Sequence, residues 1–286
     1  MSGNAQSMSL RAKVNNFARA RGVSPQHALQ AFFAERLLAR IEKSRYRKNL
    51  AVKGGTLMSA ILGIAQRTTM DIDATVIGIR LDADSAKELV AEVAATDVGD
   101  GIRFDLDLSA PNAIAKDDGY AGFSVGLTAS VGSIRLPIGI DLTVGDIITP
   151  KAERRQFATI LDDRVKISVY AYTVETLVAE KLQTVLRRGD ANTRPRDFYD
   201  LYMLKERGAV DSPLLRQAVI RTFRNRHSED ALQRWRTVMA AVAESGAMRR
   251  QWERYRSSAP YARGIAFEAT VRAIQTFLEA VTGEAG

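Results

Sequence analysis

The chain has no cysteine, and its two histidines, His27 and His227, stand far apart. Disulfides and thiolate metal sites are thereby excluded. With so little imidazole, any bound metal is left to oxygen ligands. No apolar run reaches the length of a membrane span, so no membrane partner is expected. The opening residues, MSGNAQSMSLRAKV, lack the apolar segment of a signal peptide. A cytoplasmic protein is expected. Internal repeats and low-complexity tracts are also lacking.

What is present is ordinary globular material: 286 residues, 46% hydrophobic and 26% charged. That length suffices for one large domain or two modest ones. The net charge of +8 is unevenly spread. Residues 187–256 hold 16 Lys and Arg against 9 Asp and Glu, whereas the rest of the chain is nearly balanced at 25 against 24. Such a basic stretch is either a solvated helical surface, a face for a protein partner, or a site for a polyanion; the asymmetry favours nucleic acid.

Hydrophobic periodicity divides the chain in three. Residues 8–50 read as helical. Ser24 caps and Pro25 opens a helix whose apolar stripe runs through residues 29–41. Period-2 alternation follows in DIDATVIGI (71–79), IRFDLDL (102–108), FSVGLTASV (123–131), IRLPIGIDL (134–142) and RVKISV (164–169), with AVK before a glycine pair. A helix is expected over 82–96, and everything from 173 onward is helical. Segregated runs of strands and helices indicate an α+β fold with a mostly antiparallel sheet. The expected organisation is an N-terminal helical segment (1–50), an α/β core (51–172) and a helical C-terminal domain (173–286).

Within KGGTLMSAILGIAQRTTMDID, Gly54 and Gly55 precede a helix expected over 57–66. Free N–H groups and the helix dipole favour an anion at that tip. Thr56 would add a capping hydroxyl and Lys53 a charge. On these residues alone, the segment is either a triphosphate cradle or a plain Gly-Gly turn with a Thr cap. Asp71 and Asp73 sit two apart on a strand, so both carboxylates share a face. They form either a polar sheet face or a pair held together by a cation such as Mg²⁺ with substrate phosphates. Asp141 is the best third acid, with Asp146 as runner-up. Asp105 and Asp107 form a second Asp-x-Asp, but no glycine nest precedes them and they are set aside.

In YTVETLVAEKLQTVLRR, Thr173 is the expected cap, and Lys181 falls within the apolar stripe. It is either a snorkelling stem or a cation aimed into a site. The segment NTRPRDFYDLY then opens a helix, with Thr193 as cap, Pro195 in the first turn, and Arg196 and Asp200 as an i,i+4 pair.

Taken in order, KGGT, RTTMDID, IDLTVGD, ETLVAEKL and RPRDFYDLY resemble the AbiEii/AbiGii (MenT-like) nucleotidyltransferase toxin family, a DNA-polymerase-β-like group. The resemblance spans roughly residues 10–280. It implies a polymerase-β-like mixed sheet flanked by helices, with a helical C-terminal part. It implies a toxin countered by a cognate antitoxin, using an NTP with Mg²⁺ or Mn²⁺ and acting on RNA, with the tRNA 3′ end as the expected acceptor. Carried over residue by residue, the nucleotide-binding positions are Lys53, Gly54, Gly55, Thr56, Lys181, Arg196, Asp197 and Asp200. The metal positions are Asp71, Asp73 and Asp141, and with Lys181 these are the catalytic ones. Residues 57–70 make a longer gap than the wider superfamily has, and Arg67 within it is a further expected phosphate contact. Thr56, Ser59 and Thr68 lie where an added phosphate would oppose triphosphate binding. Two rival readings stay open: transfer to a protein hydroxyl or small molecule, and a non-catalytic basic nucleic-acid-binding module.

Overall fold

The computed structural model describes residues 3–67, 69, 71–107, 111–115, 121–208 and 210–283. Met1, Ser2, Thr68, Met70 and Leu108 of the segments above lie outside them. By packing, the chain forms two units: residues 1–145 with 152–171, and residues 146–151 with 172–286.

The first unit begins with helices α1 (Gly3–Arg21) and α2 (Pro25–Lys43). Ser24 caps α2 by accepting the His27 N–H at 3.1 Å. There follow strand β1 (Leu50–Val52), helix α3 (Gly54–Leu62), strand β2 (Ile72–Val76) and helix α4 (Ala83–Ala95). Asp82 and Ser85 close a reciprocal capping box on α4, which fixes its start. Six more strands complete the unit: β3 (Arg103–Leu106), β4 (Asn112–Ala115), β5 (Ala121–Val131), β6 (Ile134–Thr143), β7 (Glu153–Ala158) and β8 (Lys166–Ala171).

Among the described residues these eight strands form one mixed sheet, ordered β3-β5-β6-β2-β1-β8-β7, with β4 also paired to β5. β2 runs parallel to β6 and β1 parallel to β8, and the remaining pairs are antiparallel. The alternation expected from sequence sets the two faces. Ile72, Ala74, Val125, Leu127, Ile138, Ile140, Leu142, Ile167 and Val169 are buried on one side. Helix α2 lies along β8 and β6, and α4 along β3 and β5. α2 brings Phe33, Leu37 and Ile41, and α4 brings Leu89, Val90 and Val93, all almost fully buried. Each such side chain contributes about 1.5–3 kcal/mol by leaving water. The opposite face carries Asp, Ser, Thr and Gly.

β7 and β4 escape the sequence reading. β7 is ERRQFA, exposed at most of its positions. As the outer strand it pairs only with β8 along the sheet order. Charge on an edge strand deters pairing with other chains and also erases the hydrophobic alternation.

The second unit is helical: α5 (Val174–Arg188), α6 (Pro195–Glu206), α7 (Ser212–Asn225), α8 (Glu229–Gln233), α9 (Trp235–Glu244), α10 (Gly246–Ser258) and α11 (Phe267–Thr282). Thr173 caps α5 as expected, accepting the Thr176 N–H at 3.1 Å. The expected Thr193 cap on α6 is not used. Instead the Asn192 carboxamide accepts the Arg194 N–H at 2.8 Å. Leu177, Val178, Leu182 and Val185 of α5 and Leu215, Val219 and Phe223 of α7 are buried. An aromatic cluster of Phe198, Tyr199, Trp252, Tyr255, Tyr261 and Phe267 has ring centroids 5.0–6.5 Å apart. No helix among the described residues is long and apolar enough to cross a membrane.

Candidate active site

The polar sheet face assembles its acids through strand register. Ile72 is buried, so Asp71 and Asp73 on either side of it turn to the other face. The parallel pairing of β2 with β6 sets Asp73 directly beside Asp141. One step back, the Asp71 carboxylate accepts the Gly139 N–H at 3.1 Å. Gly139 leaves room for it: a Cβ there would lie 2.6 Å from Asp71 Oδ1. Thr75 and Thr143 continue the row, with hydroxyls 3.4 Å apart. Two strands therefore present three carboxylates on one face.

The tip of α3 meets this row at Asp73. Lys53 follows β1 and donates its N–H to the Asp73 carbonyl at 2.9 Å. Gly54 then takes φ +53, the left-handed region that glycine enters without penalty. It also presses on Asp73: a Cβ on Gly54 would sit 2.4 Å from Oδ2. The next residue, Gly55, donates its N–H to that same Oδ2 at 2.9 Å. The helix tip thus holds the Asp73 carboxylate as its anion, through a charge-assisted bond that orients it.

This corrects the expected helix start. α3 begins at Gly54, three residues before the expected 57, because the Asp73 bond gives the first turn a partner that propensity does not count. Thr56 consequently lies inside the helix and is no cap. Its buried hydroxyl donates to the Asp71 carbonyl at 3.1 Å and accepts the Asp73 N–H at 3.4 Å. Thr69 also donates to the Asp71 carbonyl, at 3.2 Å. Together they fasten α3 and its following loop to the backbone of the acid-bearing strand. Sequence reasoning missed Gly139 and Thr69. Their contacts are side chain to backbone, set by the strand register and the loop path, which no local pattern signals.

Arg67 is buried, and its Nη2 lies 3.5 Å from the position a Cβ on Gly55 would take, beside the helix tip. The Ser59 hydroxyl holds the Arg67 carbonyl at 2.7 Å. A cavity of about 420 Å³ opens beside α3, lined in part by Thr56, Ser59, Gly63, Thr69, Phe157 and Glu35. Burial pushes the Glu35 carboxyl above its usual range, against the opposing pull of Arg36 and of the Ile160 N–H that it accepts.

Hard carboxylate oxygens suit Mg²⁺ or Mn²⁺. Among the described residues no three acidic or histidine side chains close on a point that would hold a metal by themselves. Two carboxylates completed by phosphate oxygens are the usual arrangement for Mg²⁺, and the Asp71–Asp73 pair fits it.

The helical unit holds the other expected positions. Lys181, buried as its place in the apolar stripe implied, reaches Asp197 at 2.6 Å and Asp200 at 2.8 Å. Asp200 is fully buried, and this explains a second correction. The expected Arg196–Asp200 pair does not form, because Asp200 turns inward to Lys181 while Arg196 stays near the surface. Asp146, the runner-up acid, is a buried partner of Arg226 at 2.9 Å, and Arg226 also meets Glu180 at 2.6 Å. The exposed basic positions include Arg216, Arg221 and Arg224 on α7 and Arg249, Arg250 and Arg254 on α10.

Comparison with known proteins agrees with this architecture. The family model of the nucleotidyl transferase AbiEii toxin, type IV toxin–antitoxin system, matches residues 36–279. No curated protein matches the chain. Among solved structures, a crystal structure described as a nucleotidyltransferase from H. pylori has a TM-score of 0.51 at 12% identity, covering 92% of this chain and 97% of that one. The crystal structure of JHP933 from Helicobacter pylori has the same TM-score and identity, covering 91% and 94%. At that identity the likeness concerns the fold.

Proposed function

Because the chain belongs to the AbiEii nucleotidyltransferase toxin family of type IV toxin–antitoxin systems, we propose that it moves a nucleotide from an NTP to an RNA acceptor, the 3′ end of tRNA, and so arrests growth until a cognate antitoxin counters it. The observation that carries the reading is the junction of α3 with β2: Gly55 N–H on Asp73, Gly139 N–H on Asp71, and Asp141 in register beside them.

An acceptor hydroxyl attacks the α-phosphorus. The new O–P bond forms as the bond to pyrophosphate breaks, and the Asp141 carboxylate takes the hydroxyl proton. The Gly55 N–H at the tip of α3 orients Asp73, and the remaining N–H groups of that tip, with Lys53 and Arg67 beside it, hold the outgoing phosphates. Within the helical unit, Lys181, paired with Asp197 and Asp200, is the proposed nucleotide contact, with Arg196 nearby in sequence as a further one. Asp71 and Asp73 would hold Mg²⁺ or Mn²⁺, which would supply charge neutralisation at the reacting phosphate. The protein's own part is positioning and electrostatics, the main demand of phosphoryl transfer. Exposed arginines of the helical unit supply the attraction for an RNA backbone.

The test is transfer in vitro with total tRNA, Mg²⁺ and each α-labelled NTP in turn, with Asp71→Asn as control. Label on RNA from one NTP, lost in the variant, is the expected result. Label on protein alone would move the acceptor to a protein hydroxyl, and a fully active Asp71→Asn enzyme would overturn the site.

A further inference from the structure

The second Asp-x-Asp, Asp105 and Asp107, carries no signal in sequence beyond its spacing. The sheet register gives it one. Leu106 pairs with Leu127 on the buried face, so Asp105 and Asp107 turn to the face that holds Asp71 and Asp73. Asp107 extends that pairing, donating its N–H to the Gly126 carbonyl at 2.9 Å.

Gly126 is the direct cross-strand partner of Gly139. Over Gly139 lies the Asp71 carboxylate. Over Gly126 lies Asp107, with its Cβ 3.3 Å and its Oδ2 3.4 Å from the position a Cβ on Gly126 would take. Cβ positions of directly opposed residues are about 4.5–5.5 Å apart. Asp71 and Asp107 thus stand at the two sides of a gap floored by paired glycines. Ser124 extends the floor along β5 and pairs with Asp141.

Direction across the sheet tells which substrate this floor serves. The α3 tip, proposed to hold the outgoing phosphates, sits where β1 meets β2. In phosphoryl transfer, attacking and leaving oxygens are roughly in line through the phosphorus. The acceptor therefore approaches from the opposite side, over β6 and β5. That is the glycine floor, and Asp107 is the charged group beyond it.

We propose that Asp107 positions the acceptor. Its carboxylate accepts a hydrogen bond from the hydroxyl neighbouring the one that attacks, so the acceptor end is a vicinal diol such as a terminal ribose. A carboxylate is suited to this because it only accepts hydrogen bonds and because it repels phosphate, so the sugar end enters and the backbone stays out. Asp107 takes no proton. The attacking hydroxyl loses its proton to Asp141, the O–P bond forms and pyrophosphate leaves. This inference rests on the transferase reading above.

The test uses total tRNA and tRNA ending in a 2′-deoxynucleotide, with wild type, Asp107→Asn and Gly126→Ala. Gly126→Ala keeps the carboxylate but displaces it through the 3.3 Å contact. Asp107→Asn is expected to raise KM for tRNA roughly tenfold to a hundredfold, the range for a hydrogen bond to a charged group, and Gly126→Ala, which shifts the carboxylate by a few tenths of an ångström, to raise it less. Their Kd for the Mg–NTP and their melting temperatures should stay within twofold and a few degrees of wild type. Removing the second hydroxyl should cost wild type the same factor and cost Asp107→Asn, which keeps only a neutral amide acceptor, distinctly less. A wild type that labels no RNA removes the transferase reading itself. A wild type that labels RNA, with an Asp107→Asn variant of unchanged acceptor KM or with an undiminished deoxy penalty, overturns the Asp107 assignment alone.

Discussion

Replacing Gly54 with alanine isolates the contact between α3 and the acid strand. A Cβ at Gly54 would lie 2.4 Å from Asp73 Oδ2, 2.7 Å from Cγ and 3.0 Å from Cβ. Ordinary contact begins near 3.4 Å, so the carboxylate must retreat by about 1 Å. That retreat breaks the 2.9 Å bond from Gly55 N–H. A 1 Å misplacement of a reacting group costs about 100-fold in rate. The backbone cost is separate: alanine at φ +53 loses about 1–2 kcal/mol. For a chain of this size that lowers the melting temperature by roughly 2–8 °C. Gly63→Ala separates the two effects. Gly63 also has positive φ, at +90, but a Cβ there meets nothing within 4 Å. The assay is label transfer from an α-labelled NTP to total tRNA, paired with a thermal melt. Gly54→Ala should fall about 100-fold in transfer while melting only slightly below wild type. Gly63→Ala should lose stability and keep its transfer rate. A Gly54→Ala enzyme within threefold of wild type would refute the claim that this helix tip sets the Asp73 carboxylate.

Three further outcomes follow from other parts of the molecule. Lys181→Met leaves Asp197 and the fully buried Asp200 without their cation. It should lose about 3–5 kcal/mol in urea unfolding, and adding Asp200→Asn should recover much of that loss. Glu35 titrates above its unfolded value of 4.5. A folded acid with a raised pKa holds its proton more tightly than the unfolded chain, so its contribution is full below 4.5 and is lost as pH rises through the folded value. Glu35→Gln should match wild type at low pH and become the more stable protein above that window, and a stability difference that does not change with pH would contradict this. Transfer to tRNA should weaken as salt rises, and Arg249→Gln should reduce the slope of log kcat/KM against log salt by about 1.

The parts legible in sequence are those decided by neighbours along the chain. Ser24, Asp82 and Thr173 are readable as helix starts because each bonds an N–H three residues on. β5 and β6 are readable because one face is buried along most of their length. The start of α3 is not, since Gly54 and Gly55 are poor helix residues and the partner that rewards them, Asp73, is 18 residues from Gly55. The partner of Asp200 is hidden for the same reason. Arg196 is the local candidate, but the stripe of α5 brings Lys181 to it from another helix. Asp146 resembles a third acid from its place after a strand, and only the fold reveals Arg226 against it.

Both Asp-x-Asp motifs face the same side of the sheet, so spacing and orientation do not distinguish them. What differs is the backbone around the carboxylates. Asp73 receives an N–H from the tip of a helix, and Asp71 receives one from Gly139 of the adjoining strand. Backbone donors are fixed by secondary structure, so they hold a carboxylate without spending side-chain entropy. Asp105 and Asp107 sit on the far side of β5 and β6, where Asp105 is exposed and meets Arg135 only at 3.8 Å. A pair held by backbone N–H groups is suited to phosphates that must be placed to a fraction of an ångström. A pair at the rim of a glycine floor is suited to a partner that arrives and leaves. The same two-residue spacing thus supports two roles, and the strand opposite each aspartate separates them.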